Sequence, residues 1–419
     1  MLTPRRLVRV ASTISTAPNK TLRVSGVSPR LVVRTNMETY LASISAGVGS
    51  AELNVDTWST LDDGDVHVCA ALTGDDGVTT VEVPASFNVI VDMDTQCDVS
   101  IDGWLEGTVE VTVPTGSVSV NTVRGLLTSI ATGRGDVSVE HVEGNLHIHN
   151  GEGSSVQLGK IMGEDVRVLS GGTVASRAVY AKRLHVEAPK GVLASVMSAN
   201  EGLLVLRGDS SIDSAEGLLQ LHHSGPGTTT VQASTQLRSL SVIHTAQHTG
   251  SDSSLRSVSA EAMAGDDNSP ARVVVHFPPE MAARAGVQAG QLRIDEGLLA
   301  TPVGNCVAAD ANETAPNRAL LMPPPALSKA GTKTFAGYQS GSTTSTVPWW
   351  GAEAHQSWTM VEDKLGECEG YLLGGAKEQG DACELCVVAA DAHVEISVQS
   401  WLEQRLKANR TERKAQPYR

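Results

Sequence analysis

The stretch Gly116-Ser-Val-Ser-Val120 recurs nineteen residues later as Gly135-Asp-Val-Ser-Val139, and a third version, Ser154-Ser-Val-Gln-Leu158, follows after another nineteen. Further short alternating segments lie between and after these runs, such as Leu146-His-Ile148 and Leu184-His-Val186. Alternation with a period of two is the signal of a β-strand, and the glycine-containing corners supply turns. Two strands and two turns in a repeat of this length predict one coil of a β-solenoid.

The composition agrees with such a stack. The chain has 419 residues and 40 glycines, but only 3% of its residues are aromatic. A narrow interior in which like side chains stack on one another favours Val, Leu and Ile over rings. We therefore predict an all-β fold, a right-handed β-solenoid with coils of about 19 residues, capped ends and little helix. The alternative is an antiparallel sandwich of short strands.

Composition shifts divide the chain into six segments. We predict a mitochondrial presequence, an N-terminal β region or cap, a repeat solenoid, a disordered insertion rich in Pro, Gly, Ser and Thr, C-terminal strands with a cap, and a basic tail. Their bounds are 1–20, 31–115, 116–300 with a loop at 247–270, 301–346, 347–406 and 407–419. Trp349, Trp350, Trp358 and Trp401 are expected to cover an open solenoid end rather than to form a binding site.

The composition at the beginning of the chain indicates a subcellular location. Its first 37 residues contain no acid and carry a charge of +7, whereas the other 382 residues carry −22. Leu7, Val10 and Ile14 would share one side of a helix, with Arg5 and Arg9 opposite. This acid-free, Arg-bearing pattern is typical of a mitochondrial presequence, with cleavage near Val10–Ala11, and the alternative is a disordered basic tail. We expect a mitochondrial protein, located in the matrix.

The best metal candidate is Cys383-Glu-Leu-Cys386 with Cys368 upstream and His393 downstream. Zinc binds Cys and His at such spacings, but a second CxxC is missing. Residues 386–389 have the pattern of a strand, on which positions i and i+3 face opposite sides. We favour packing cysteines over a zinc or redox site, and predict no metal ligand, no cofactor-binding residue and no catalytic residue.

Histidines and carboxylates show no convergent set. His147 and His185 fall at equivalent coil positions with Arg167 on the rung between them, which is too far apart for one ion, and we expect both histidines to be solvated. Asp136, Glu152, Asp165 and Asp209 are spread over corners without an evident partner. Asp92 and Asp94 begin like a calcium loop, but the glycine and glutamate that such a loop requires are missing.

Several of these runs resemble a known family. They are Val83-Pro-Ala-Ser-Phe-Asn-Val89, Leu105-Glu-Gly-Thr-Val-Glu-Val111, Gly116–Val120, Val123-Arg-Gly125 and Gly135–Val139, with Gly370-Tyr-Leu-Leu-Gly374 and Val394-Glu-Ile-Ser-Val-Gln-Ser-Trp401 near the end. Together they resemble the "putative adhesin" domain family, including its eukaryotic branch with organelle-type leaders. The resemblance covers roughly residues 80–300 and 366–402. It implies a β-solenoid and no catalytic residues.

The expected function follows from the repeat, the leader and the absence of a catalytic constellation. We expect a non-enzymatic mitochondrial scaffold, or a subunit of a larger assembly, that binds protein partners through its solenoid faces. The alternative is a ligand- or glycan-binding adhesin-like module. A net charge of −15 and a pI near 5.2 argue against nucleic acid as a partner. No run of 18 apolar residues predicts a membrane span.

Overall fold

The computed structural model describes residues 8–15, 19–36, 41–48, 58–60, 65–71, 78–245, 271–278, 281, 283–294, 301–307, 367–373 and 383–399. The chain forms two compact units, Met1–Asn200 and Glu201–Arg419. Every regular element among the described residues is a strand, so none of them belongs to a helix able to cross a membrane. The prediction of an all-β fold is confirmed.

The first unit begins with short strands and continues with longer ones. They are β1 (Val8–Ser15), β2 (Thr21–Val27), β3 (Arg30–Asn36), β4 (Leu41–Val48), β5 (Trp58–Thr60), β6 (Val66–Ala71), β7 (Val78–Pro84), β8 (Asn88–Met93), β9 (Asp98–Leu105), β10 (Val109–Val113), β11 (Val118–Val123), β12 (Leu127–Thr132), β13 (Val137–Glu143), β14 (Asn145–Glu152), β15 (Val156–Gly171) and β16 (Val174–Ala188), and β17 (Val192–Leu206) contains the boundary between the units.

Two parallel ladders run through the first unit. One contains β6, β2, β8, β10, β12, β14 and the second halves of β15 and β16. The other contains β7, β3, β9, β11, β13 and the first halves of β15 and β16. Each coil gives one strand to each ladder, as expected of a β-solenoid with two strands per repeat. The β-solenoid prediction is therefore confirmed.

The core is built from columns of stacked side chains, and one of these columns consists of identical residues. Val118, Val137, Val156 and Val174 are register partners in four successive coils, and none is more than 1% exposed. In short strands such as Val109–Val113, buried residues alternate with exposed ones. Because stacked coils lie about 4.8 Å apart, each valine packs against the one above and below it. This explains how a chain with few aromatic residues buries a continuous core.

At the corners of the solenoid, the backbones of neighbouring coils lie very close together. Gly144 has a φ of +144°, and a Cβ at this position would lie 1.8 Å from the carbonyl oxygen of Gly125 in the neighbouring coil. Polar side chains cap the same turns: Asp98 accepts a hydrogen bond from the Ser117 amide at 2.8 Å, nineteen residues on. Glycine and Asx residues at the coil period are therefore a structural requirement.

At the N-terminal end the coils do not follow one another in chain order. The β2–β3 coil lies between the β6–β7 coil and the β8–β9 coil, with parallel pairing on both sides. The solenoid ladders thus begin well before Gly116, inside the segment assigned to an N-terminal β region or cap. β1 pairs antiparallel with β4, so residues 8–15 of the predicted presequence form a strand in this structure. The mitochondrial address remains a prediction.

The second unit contains β18 (Ser210–Ser224), β19 (Thr228–Thr245), β20 (Arg272–Phe277), β21 (Ala283–Ile294), β22 (Thr301–Val307), β23 (Glu367–Leu373) and β24 (Cys383–Val398). β18 and β19 pair in parallel. β24 then lies between strands that precede it by more than 80 residues: β19 and β20 on one edge and β21 on the other. The last coils are therefore intercalated.

The strand predicted at 386–389 is confirmed, because these residues lie within β24. The predicted disordered insertion begins with a strand, because β22 pairs antiparallel with β23. The loop at 247–270, the rest of the insertion, the tryptophans at 349, 350, 358 and 401, and the basic tail lie outside the described residues.

Candidate functional site

One corner of the first unit carries a continuous row of large exposed side chains, which we call the corner surface: Trp104, Arg124, Glu143, Met162 and Tyr180. Trp104 is 37% exposed, Met162 42% and Tyr180 38%. They belong to five successive coils, so the row spans four strand spacings, or about 19 Å. An exposed row of Trp, Arg, Met and Tyr is unusual in a chain with 3% aromatic residues.

Direct contacts connect the corner surface. The Arg124 guanidinium lies 4.9 Å from the centre of the Trp104 ring. Its Nε lies 3.3 Å from a carboxylate oxygen of Glu143. Glu143 is the register partner of Met162, which is the register partner of Tyr180. Since all five positions lie on paired coils, the backbone holds the row in a fixed arrangement.

Charged and titratable side chains flank this row. His141 Nε2 lies 3.0 Å from Glu143 Oε1, and this hydrogen bond lowers the pKa of Glu143, with a further contribution from Arg124. His141 is itself the register partner of Lys160. The surface therefore combines apolar area with two basic groups, one carboxylate and one histidine. It offers apolar, cationic and anionic contacts side by side.

A polar cluster surrounds Asp165 on the ladder that contains β14 and the second halves of β15 and β16. Arg167 Nη2 lies 2.9 Å, His147 Nε2 3.5 Å and Arg183 Nη2 3.8 Å from the same carboxylate oxygen. Burial alone would raise the pKa of Asp165, but the hydrogen bonds from His147 and Arg167 outweigh it and hold the pKa at about 2. A carboxylate with so low a pKa is a weak base near neutral pH. As a buried anion it pairs with Arg167 on the same strand and with Arg183 on the neighbouring rung.

This cluster corrects two expectations. The register places Arg167 between His147 and His185, as predicted. His185, however, is buried rather than solvated and lies 3.1 Å from a carboxylate oxygen of Glu187. Asp165, which the sequence left without a partner, has three. Neighbouring rungs of a solenoid bring together residues almost 20 apart, so partners on the outer face cannot be found by local spacing.

Asp136 and Asp209, two of the other corner carboxylates, also have structural partners, whereas the side chain of Glu152 lies outside the described ones. Asp136 accepts hydrogen bonds from the amide and the hydroxyl of Ser155, both at 2.9 Å. Asp209 accepts one from the Thr228 amide at 2.7 Å. Each joins one coil to the next across about nineteen residues. These aspartates therefore belong to the corner capping described above rather than to a catalytic pair.

The register does not bring together the four residues that the sequence analysis weighed as zinc candidates. Cys383 lies opposite Ala283, whose other partner is Leu373, five residues beyond Cys368 on β23. Five residues of strand separate these positions by about 17 Å along the ladder. Cys383, Leu385 and Val387 are buried at alternate positions of β24, and Cys386 falls between the last two of them in sequence. Within the described ranges, no three metal-binding side chains converge.

Buried histidines in the second unit were missed by sequence analysis. His223 Nε2 lies 3.2 Å from the carbonyl oxygen of Gly208, and His244 Nε2 lies 2.9 Å from that of Gly225. The two rings stack with centroids 5.2 Å apart. Since a carbonyl only accepts, both Nε2 atoms donate. Burial lowers the pKa of His223, and lowers that of the neighbouring His222 to about 4.

The corner surface was also missed, although its signal is in the sequence. Arg124, Glu143, Met162 and Tyr180 follow one another at 19, 19 and 18 residues. This is the coil period itself, so residues at this spacing must form a row along one face. Reading the repeat for outward positions, in addition to inward valines, would have identified the row.

Comparisons with known proteins give limited information. No family model and no curated protein matches the chain. A solved structure from Bacteroides fragilis, described as a "putative adhesin", is 12% identical and covers 58% of this chain and 96% of its own, with a TM-score of 0.30. One from Clostridium sporogenes, described as a "putative cell adhesion protein", is 7% identical and covers 94% of this chain and all of its own, with a TM-score of 0.20. At these TM-scores neither similarity supports a functional argument.

Proposed function

We propose that this protein is a non-enzymatic binding module that holds a protein partner on its corner surface. The observation that carries the proposal is the connected row from Trp104 to Tyr180, exposed on paired coils. Trp, Tyr, Arg and Met are the residues enriched at protein interfaces, and Trp, Tyr and Arg dominate their binding energy. A row fixed by backbone pairing loses little conformational entropy when a partner binds.

Protein is a better fit than glycan for this row. A sugar ring stacks on an open aromatic face, but the Arg124 guanidinium lies over the Trp104 ring at 4.9 Å. Arg124 is in turn paired with Glu143. A glycan-binding adhesin-like module remains the second candidate, favoured by the exposed Tyr180 ring. The scaffold role and the mitochondrial location are part of the same proposal. The scaffold role is supported by the repeat, and the location by the composition of the leader.

The experiment is native sizing of the endogenous protein and of tagged variants, followed by mass spectrometry of the peak. We expect the wild-type chain well above its own 43.9 kDa, with reproducible companions. Trp104→Ala combined with Tyr180→Ala should lose those companions without a change in melting temperature. Leu193→Ala is the matched control, since Leu193 is also exposed but lies outside the row.

Two outcomes would overturn the proposal. Companions that remain on the double variant would remove the corner surface from the function. A monomeric peak that binds an oligosaccharide on a glycan array, with loss of that binding in Tyr180→Ala, would favour the glycan module instead. The address is tested separately by fractionation and N-terminal sequencing, where absence from mitochondria would contradict it.

A further inference from the structure

The ladder between β22 and β23 places two cysteines opposite each other. Cys306 and Cys368 are register partners in this antiparallel pair, between the pairs Asn305–Glu369 and Val307–Glu367. The two residues are separated by 61 residues of sequence. Nothing in the corner surface or its proposed function depends on them.

Opposed positions in an antiparallel ladder satisfy the main geometric condition for a disulfide. Their Cα atoms are about 4.5 or 5.5 Å apart, depending on whether the pair is hydrogen-bonded. Disulfides form when the Cα atoms are about 4.4–6.8 Å apart. A disulfide also requires Cβ atoms about 3.5–4.5 Å apart, and the closer, non-hydrogen-bonded kind of opposed pair comes nearest to this distance.

The other four cysteines have no such placement. Cys69 lies opposite Ser25, Cys383 opposite Ala283, and Cys386 opposite Ser241 and Gly286. Cys97 is fully buried, and its burial raises the pKa of its thiol to about 12, which makes it a poor nucleophile. Among the ladders that the structure describes, only β22–β23 brings two cysteines together.

We propose that Cys306 and Cys368 form a disulfide by exchange with glutathione disulfide or an oxidoreductase disulfide. One thiolate attacks the oxidant, forming a mixed disulfide and releasing one thiol. The second thiolate then attacks the mixed disulfide and releases a second thiol, so two cysteine thiols are oxidised as one disulfide is reduced. The bond fastens β22 to β23, which also pairs with β21. It closes the segment 307–367 as a covalent loop.

The test uses the full-length protein incubated with oxidised glutathione, alkylated, digested and mapped by mass spectrometry without reduction. We expect one cross-linked peptide pair containing Cys306 and Cys368. Cys69→Ser should leave this link unchanged, whereas Cys306→Ser should leave glutathione attached to Cys368. Separate glutathione adducts on both cysteines of the wild-type chain, or a link from either to Cys383 or Cys386, would overturn the proposal.

A nicking experiment gives an independent readout. A protease cut between residues 308 and 366 should leave the oxidised protein as one band near full length on a non-reducing denaturing gel. Reduction should separate it into two fragments, and the Cys306→Ser protein cut at the same place should show two fragments in both lanes. Two fragments from the oxidised wild-type protein without reductant would contradict the disulfide.

Discussion

The regular coils of the first unit and the end of the second unit reach the same parallel pairing by different routes. Between β10 and β16 each coil stacks on the one that precedes it in sequence. At the end of the second unit, β24 fills the space between β19 and β21 after a detour of almost 90 residues. Period alone can therefore specify the first region, whereas the second also depends on a distant strand finding its place.

The largest expected effect comes from charging the centre of β24. Val387 is fully buried between Val242 and Val287, so Val387→Asp would place an unpaired carboxylate in the core. We expect a loss of about 4–5 kcal/mol in the free energy of unfolding. Hydrogen exchange on the full chain should show lost protection from β18 to β24, with β10–β15 unchanged.

The reciprocal variant provides the control. Val111→Asp changes a valine of the regular coils that is 1% exposed, between Val91 and Ile130. It should open the first unit and leave the second protected. If either variant removed protection from the whole chain, the two regions would not be separate cooperative units.

A slightly smaller effect is expected at the corners. In Gly144→Ala the new Cβ would lie 1.8 Å from the Gly125 oxygen, at a φ of +144°. We expect a loss of about 3–4 kcal/mol, from strain and from forced separation of the coils. Gly153 also has a positive φ, but its Cβ would contact nothing within 4 Å, so Gly153→Ala should cost only about 1 kcal/mol. Equal losses in chemical denaturation would show that stacking does not set the glycine requirement.

We expect the two units to lose stability at different pH values as the solution is acidified. Burial lowers the pKa of His222 from 6.5 to about 4, so the folded second unit binds this proton less readily than the unfolded chain. Its contribution, about 3 kcal/mol, is present above pH 6.5 and is lost as the pH falls from 6.5 to 4. In the first unit Asp165 has a pKa of about 2, below its usual 3.8, so its contribution is lost only between pH 4 and 2.

The measurement for this prediction is hydrogen exchange across a pH series, corrected for intrinsic rates. Protection in β18 and β19 should fall before protection in β13–β16. His222→Gln should flatten the response of the second unit between pH 6.5 and 4. Simultaneous loss in both units, or an unchanged response in the variant, would contradict this assignment.

The smallest effect is expected for the polar contact at the end of β24. Arg272 forms an ion pair with Glu395, and the arginine side chain is half exposed. Exposed pairs of this kind contribute little, so Arg272→Met should change the free energy of unfolding by about 0.5 kcal/mol. A loss above about 2 kcal/mol in thermal unfolding would mean that polar contacts, rather than buried apolar residues, hold β24 in place.

The valines of the repeat were sufficient to predict the solenoid. The spacing of Val118, Val137 and Val156 gives the coil period, and their alternation with polar residues indicates the inward face. They could not predict that β2–β3 and β24 are intercalated, since pairing of a displaced coil depends on matching edges rather than on spacing. His222, His223 and Gln220 were also beyond prediction: these polar residues are buried in the second unit, which no local pattern indicates. The corner surface was predictable in principle, because its residues repeat at the coil period.

The central claim is that the corner surface holds a protein partner, and hydroxyl-radical footprinting tests it most directly. Trp, Met and Tyr are among the side chains most reactive to this probe. In the native assembly we predict that Trp104, Met162 and Tyr180 become several-fold less reactive than in the isolated chain, while Leu193 is unchanged. Equal reactivity of these three side chains in both samples would contradict the claim.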